Sequence, residues 1–190
     1  PENKHLKEKL EKKYGFRNVH IFPNFRMHSF TPSFYQEKNS FKIVFMARIN
    51  RMKGIDATFR LAEQIEKKHN QDSPIEIDFY GPIDEGEEGY FKQQIDKFDF
   101  VTYRGILQPD EIYDALGQYD VSILPTHYPG EGFPGTIVDS YASGLPVIVS
   151  NWKYLPEVVD HGITGYVFDL KNENEFYEYA DKLYRDRALL

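Results

Sequence analysis

The run Gly130-Glu131-Gly132-Phe133-Pro134-Gly135-Thr136-Ile137-Val138-Asp139 gathers the residue types most capable of chemistry in this chain. Its three glycines let the backbone approach a ligand closely and adopt positive φ. Pro134 suits the first turn of a helix, where a missing N–H costs nothing. The unpaired amides of such a turn, reinforced by the helix dipole, form an anion site. Glu131, just before the helix, can accept hydrogen bonds from hydroxyl groups. Asp139 follows eight residues later, about two helical turns along and on roughly the same side. Together these residues would hold a phosphate at a helix mouth with two carboxylates on flanking polyols. They also suit a plain strand-to-helix turn with Asp139 in solvent. A second set is Arg48 and Lys53 in Ala47-Arg48-Ile49-Asn50-Arg51-Met52-Lys53-Gly54. Arginine offers a planar fork to phosphate oxygens and lysine a point charge. Alone this could be a solvated basic loop; beside an anion-binding helix mouth it becomes a second phosphate contact.

Such residues need a frame that brings strand ends together. The β-rich run Phe41–Ala47 reads as a strand buried on both faces. Gly54–His69 has apolar residues at Ile55, Phe59, Ala62 and Ile65, a helical spacing. Strands are then expected at Ile75–Tyr80, Phe100–Tyr103, Asp120–Leu124, Pro146–Val149 and Gly165–Phe168, with helices over Gly89–Phe98, Pro109–Gln118, Pro134–Ser143, Tyr154–Asp160 and Glu173–Arg187. Upstream, Glu2–Lys13 reads as a charged helix, Asn18–Phe22 as a strand and Phe25–Asn39 as a connector. Regular alternation with short connections predicts right-handed crossovers and a doubly wound, Rossmann-like parallel sheet in an α/β fold. Ligands of such sheets bind beyond the carboxyl ends of the strands. Functional residues should therefore follow Met46, Tyr80, Tyr103, Leu124 and Val149.

Composition narrows the partners. The 190 residues fit one domain, and 41 % hydrophobic content supplies a core. A net charge of -7 argues against nucleic acid, whose phosphates need a basic face. The absence of cysteine excludes disulfides and thiolate metal sites. The six histidines are scattered and form no pair at metal-ligand spacing. No apolar run reaches the roughly 20 residues needed to span a bilayer. The run Asp84-Glu85-Gly86-Glu87-Glu88 reads as a solvated helix entry, while His127 and Tyr128 could touch a ligand or only shape their loop. The chain begins at Pro1 rather than methionine, and the expectation is a portion of a longer polypeptide.

Taken together, these segments resemble the C-terminal domain of glycosyltransferase family 4, retaining enzymes of the two-domain GT-B architecture. That family carries Gly-Arg and then Lys-Gly after its first strand, where this chain has Ala47-Arg48 and Lys53-Gly54. It carries two glutamates at a fixed spacing before a small-residue, Gly-Pro-Val segment; here they are Glu131 and the shorter Asp139, before Ala142-Ser143-Gly144-Leu145-Pro146-Val147. Tyr103-Arg104-Gly105, Tyr119-Asp120-Val121, Pro125, Pro156-Glu157 and Gly162-Ile163-Thr164-Gly165 also fall where the family has similar residues. The resemblance implies that residues 41–190 form a nucleotide-sugar-binding domain. Residues 1–40 would hold the interdomain connection and first strand.

It also implies roles. Arg48 and Lys53 would hold the donor diphosphate, and Glu131 would act as the catalytic residue on the sugar hydroxyls. The stretch Gly132, Phe133, Pro134, Gly135 and Thr136 would face sugar and phosphate through the amides of Phe133, Gly135 and Thr136. Asp139 would bind the ribose, and Arg104 and Ile106 would line the base. No metal or other cofactor is implied, since amides and cations stabilise the leaving diphosphate. The substrate would be a nucleoside diphosphate sugar, in bacterial surface polysaccharide or glycan assembly. The acceptor would bind an N-terminal domain of the same polypeptide that lies outside these 190 residues. The implied setting is the cytoplasm, with peripheral association of the full-length enzyme at the inner membrane face. Two other readings stay open, a non-catalytic nucleotide-sugar-binding module and a GT-B sugar-nucleotide epimerase; a phosphorylase should carry a pyridoxal lysine that is not evident.

Overall fold

In a computed structural model covering residues 1–2, 4–26, 40–69, 74–172 and 174–190, the apolar runs pair into one parallel sheet. Its strands are β1 (Phe41–Met46), β2 (Ile75–Tyr80), β3 (Val101–Gly105), β4 (Val121–Leu124), β5 (Val147–Ser150) and β6 (Gly165–Phe168). The order is β3-β2-β1-β4-β5-β6 and every pairing is parallel. The helices are α1 (Lys4–Tyr14), α2 (Ile55–His69), α3 (Glu88–Ile95), α4 (Ile112–Leu116), α5 (Gly135–Ala142) and α6 (Asn174–Arg185). This is the doubly wound, Rossmann-like arrangement expected from the alternation.

The register explains the two layers. Phe45 lies opposite Phe79 on β2 and Ile123 on β4, so side chains of one parity share a face. That face receives the stripe Ile55, Phe59, Ala62 and Ile65 of α2, Phe91 of α3, and Phe176, Ala180 and Leu183 of α6. Rings dominate the contact: Phe59 stacks on Phe79 at 5.4 Å, and Phe176 on Phe168 at 4.6 Å. The opposite face carries Val44 against Leu116 of α4, and Leu124, Val147 and Val149 against Ile137 of α5. Helices therefore cover both sides, which is why β1 and β5 are apolar at nearly every position. Strand order reverses between β1 and β4. Their outgoing loops lead to α2 and α5 on opposite faces, and the crevice between those loops is where such sheets bind ligands.

Several expected boundaries shift for local reasons. Asn18–Phe22 forms no strand; the Phe22 amide donates to the Pro1 carbonyl at 2.8 Å, but no strand among the described residues lies beside it, and Phe22 is 69 % exposed. Helix α4 starts at Ile112 rather than Pro109 because Gln108–Glu111 closes a turn first. The Glu111 amide donates to the Gln108 carbonyl at 3.0 Å, and the Glu111 carboxylate accepts from the Gln108 amide at 2.7 Å. Within Tyr154–Asp160 only a 3-10 turn forms, over Leu155–Glu157. The last helix ends at Arg185 and is followed by another 3-10 turn, Arg187–Leu189. Most of the Phe25–Asn39 connector, and the start of the last helix at position 173, lie outside the described residues. Helix α1 buries none of its residues. Among the described residues no helix is long and apolar enough to cross a membrane.

Candidate functional site

The loop after β1 is shaped by its own sequence. Asn50 accepts from the Lys53 amide at 2.8 Å, capping the 3-10 turn Arg51–Lys53. Gly54 then closes the turn at φ 94°. A side chain there would meet the Pro125 carbonyl oxygen at 2.2 Å, so this glycine lets the β1 loop press against the end of β4. The contact aims Lys53 at the second loop of the crevice. Its Nζ meets Glu131 Oε1 at 3.0 Å and Oε2 at 2.8 Å. Glu131 is only 7 % exposed. Thr126 Oγ1 lies 2.7 Å from the same Oε2 and 3.2 Å from the Met52 carbonyl, so its single proton serves one of them, the shorter contact being to Glu131. The Tyr128 amide donates back to Thr126 Oγ1, and the Tyr128 ring lies 4.8 Å from Lys53 Nζ. Trp152 fastens this loop from outside, its indole N–H donating to the Tyr128 carbonyl at 2.8 Å.

The mouth of α5 adjoins this pair. Pro134 is extended and precedes the helix, and Thr136 Oγ1 donates to the Met46 carbonyl at 2.6 Å, tying the first turn to the end of β1. The Phe133 amide points outward and donates to the Glu2 carboxylate at 2.7 Å. Asn24 Nδ2 donates to the Phe133 carbonyl. Two glycines make room for these visitors: a side chain at Gly132 would strike Glu2 Oε2 at 2.2 Å, and one at Gly135 would strike Arg26 Nη2 at 2.5 Å. One face further into α5, Asp139 is 3 % exposed. Arg26 grips it side-on, Nε to Oδ1 at 2.7 Å and Nη2 to Oδ2 at 3.0 Å, and the Tyr113 hydroxyl donates to Oδ1 at 3.2 Å. The hydrogen bond to Asp139 raises the Arg26 pKa further. Burial raises that of the Tyr113 phenol, and the Asp139 charge adds to it.

Lys53, Glu131, the Gly132–Thr136 mouth and Asp139 thus converge at one end of the sheet. Arg48 stands at the rim, 67 % exposed, with Nη1 3.1 Å from Asp84 Oδ1. Asp84 also accepts from Asn50 Nδ2 at 2.7 Å, and Glu87 lies 3.4 Å from Arg51. The acidic run at 84–88 does enter α3, with Glu85 and Glu88 exposed, while its Asp84 and Glu87 clamp the β1 loop. Arg104 and Ile106 lie at the end of β3, separated from β1 by β2. Arg104 Nε pairs with the buried Asp78 at 3.0 Å, a bond that raises its pKa, and Ile106 is exposed. Adjacent strands lie about 4.8 Å apart, so β3 is about 10 Å from β1. Among the described residues no group of three or more His, Asp or Glu could hold a metal ion. Thr126, Tyr113, Glu2, Asn24 and Arg26 are site residues that sequence reading missed. Only Asn50, three residues before Lys53, carried a local signal, the cap spacing.

Residues 30–190 match the family described as Glycosyl transferases group 1. A D-inositol 3-phosphate glycosyltransferase of Paenarthrobacter aurescens (strain TC1) is 26 % identical over 175 residues, covering 86 % of this chain and 42 % of that protein. The amylovoran biosynthesis glycosyltransferase AmsK of Erwinia amylovora is 29 % identical over 133 residues, covering 66 % and 31 %. Among solved structures, the S. aureus TarM G117R mutant in complex with Fondaparinux, alpha-GlcNAc-glycerol and UDP superposes with a TM-score of 0.82 at 18 % identity, over 98 % of this chain and 36 % of that one. That likeness concerns the fold, which is of the GT-B glycosyltransferase type. The chain spans less than half the length of these relatives. A match over most of its residues, on a parallel sheet whose reversal point carries the Lys53–Glu131 pair, makes the chain a member of the glycosyl transferases group 1 family.

Proposed function

We propose that this chain binds the nucleoside diphosphate sugar of a retaining, metal-independent glycosyltransferase, with the acceptor on another part of a longer polypeptide. The observation that carries the reading is the mouth of α5. Its Phe133 amide already holds a carboxylate oxygen of Glu2, an acid standing where a phosphate oxygen of the donor would sit. Lys53, on the neighbouring loop, pairs with Glu131 two residues before Phe133, and Arg48 stands on the rim of the same loop. On donor binding the diphosphate takes the amide from Glu2 and draws Lys53 off Glu131. The freed Glu131 carboxylate then accepts from sugar hydroxyls. As the glycosidic bond breaks, negative charge grows on the diphosphate and positive charge on the sugar. Amide, lysine and arginine answer the first, and Glu131 the second. UDP is the first nucleotide to try because it occupies the TarM complex. The name of AmsK supports a place in polysaccharide assembly, and any membrane association would be peripheral. Arg104 and Ile106, about 10 Å from β1, sit at a span suited to the base of an extended nucleotide. Calorimetric titration with UDP, GDP and ADP, with and without EDTA, tests the reading. The expected result is binding of at least one diphosphate, unchanged by EDTA and without sustained transfer to an added acceptor. No heat with any of the three at millimolar ligand overturns it.

A further inference from the structure

Glu131 stands at the last position of a four-residue turn, Tyr128-Pro129-Gly130-Glu131. The turn closes where the Glu131 amide donates to the Tyr128 carbonyl at 3.1 Å. A carbonyl oxygen has two lone pairs, and this one also accepts from the Trp152 indole N–H at 2.8 Å. A single oxygen atom thus joins the backbone of Glu131 to a side chain on the loop after β5. Gly130 lets the turn fold this tightly, since a side chain there would begin 2.7 Å from the Tyr128 ring. A second brace runs in parallel. Ser150 Oγ, at the end of β5, donates to the Thr126 carbonyl at 2.5 Å, and Thr126 Oγ1 holds Glu131 Oε2.

Trp152 is itself pinned. Its amide donates to the Ser150 carbonyl at 2.8 Å, and its carbonyl accepts from the Leu155 amide at 3.1 Å. Lys153, inside that second turn, holds a left-handed backbone at φ 51°, the one non-glycine residue to do so among the described residues. Lysine seldom adopts this conformation, and it persists only where the surroundings over-determine it. The Trp152 ring packs at the margin of the cluster around Val149 and Leu155, a task that phenylalanine could share. The N–H is what phenylalanine lacks.

From this geometry we infer that Trp152 is a positioning residue for Glu131, setting through the Tyr128 carbonyl the direction in which that carboxylate meets the donor sugar. The inference rests on the donor-binding reading above and deepens its account of Glu131. Trp152 acts through the turn and not on the donor.

The experiment compares the wild-type chain with Trp152→Phe, Glu131→Gln and the double variant. Calorimetry measures UDP, UDP-glucose and UDP-N-acetylglucosamine, and residue-resolved hydrogen exchange follows the free proteins. Trp152→Phe should speed exchange of the Glu131 amide by roughly five- to tenfold, the loss of one hydrogen bond, and leave β4 and β5 unchanged. It should weaken the sugar conjugates by about the same factor and spare UDP. The double variant should bind the conjugates no more weakly than Glu131→Gln alone, because both changes act on one contact. A tryptophan that only filled space would give additive losses and weaken UDP as well. Trp152 is the only tryptophan in the chain, so analogue incorporation is site-specific. 5-Fluorotryptophan keeps the N–H and should match wild type. Benzothienylalanine keeps the bicyclic ring without the N–H and replaces the phenylalanine variant if that one fails to fold. If loss of the N–H leaves the Glu131 amide as slow as before, weakens UDP and its conjugates alike, or adds to Glu131→Gln, the inference falls alone. If Glu131→Gln does not weaken the conjugates relative to UDP, the sugar role of Glu131 falls and takes the inference with it. If the wild-type chain binds none of the three ligands, the whole donor-binding reading falls.

Discussion

Glu131 and Lys53 neutralise each other in a site largely closed to water, their side chains 6 % and 17 % exposed. Removing one partner of such a pair leaves a buried charge and costs about 3–5 kcal/mol. Lys53→Ala should therefore lower the melting temperature and weaken diphosphate binding together. Arg48→Ala should separate the two effects. Its pair with Asp84 is at the rim, worth roughly 0–1 kcal/mol, so stability should hold while UDP weakens about tenfold. Glu131→Gln should spare UDP and weaken only the sugar-bearing ligand, because the lysine it releases remains for the phosphates. Titration of each variant with UDP and a UDP-sugar, beside its melt, checks all three; equal weakening of both ligands by Glu131→Gln would make Glu131 a structural residue. Lys53 and Glu131 were legible in the sequence because each closes a strand-to-helix segment with its own glycines. The Arg26–Asp139 contact was not, for its partners are 113 residues apart and nothing local in Asn24-Phe25-Arg26 marks an anion site. Thr126 carried no signal either, since an uncharged hydroxyl after a strand is common.

Elements were legible where burial dictates pattern and illegible where packing does not decide. Ile75–Tyr80 and Gly165–Phe168 form strands over the residues expected, because each sets buried apolar residues at strand spacing. Asn18–Phe22 is also rich in β-formers but has no strand beside it among the described residues, and sequence does not reveal the absence of a neighbour. Turns decide the geometry of the crevice more sharply than strands do. Gly54 has φ 94° and meets the Pro125 carbonyl oxygen where a side chain would begin. Gly54→Ala should cost at least about 1–3 kcal/mol from the backbone conformation alone, with the contact adding to it. Because the β1 loop must then lift from β4, Lys53 should lose its grip on Glu131. A melt of Gly54→Ala against Gly86→Ala tests this. Gly86 also has positive φ, at 85°, but open space around it, so its cost should be the smaller. Equal losses would locate the whole effect in the backbone and none in the contact between the loops.

At the scale of the molecule, charge is unevenly divided. Residues 1–26 hold seven Lys and Arg against three Glu, a balance of +4, so the remainder carries -11. The segment reaches the sheet domain through Glu2, Asn24 and Arg26, with His5 packed 5.2 Å from Tyr154, while α1 buries nothing. Its described attachments are chiefly polar, with Leu6 and Leu10 only half-buried. Amides of α1 should exchange at close to unprotected rates while those of β1, β2 and β4 exchange only on global opening. Salt near 1 M, with a screening length of about 3 Å, should raise exchange around Phe133 without altering the sheet. Hydrogen exchange at two ionic strengths reads both. Protection of α1 comparable to the sheet would mean a packed rather than a tethered segment.

Trp152 is the only tryptophan in the chain, and its indole N–H is bound to the carbonyl of Tyr128, in the same loop as Glu131 and against Lys53. Indole emission responds to hydrogen bonding and to water at the ring. The protein thus carries a native optical probe fastened to a loop of its own candidate site. A ligand that draws Lys53 away from Glu131 loosens the Tyr128 ring and, through its carbonyl, the indole. Occupancy of the crevice becomes visible as a colour shift in an unlabelled sample, and stopped-flow mixing would then time the loop itself.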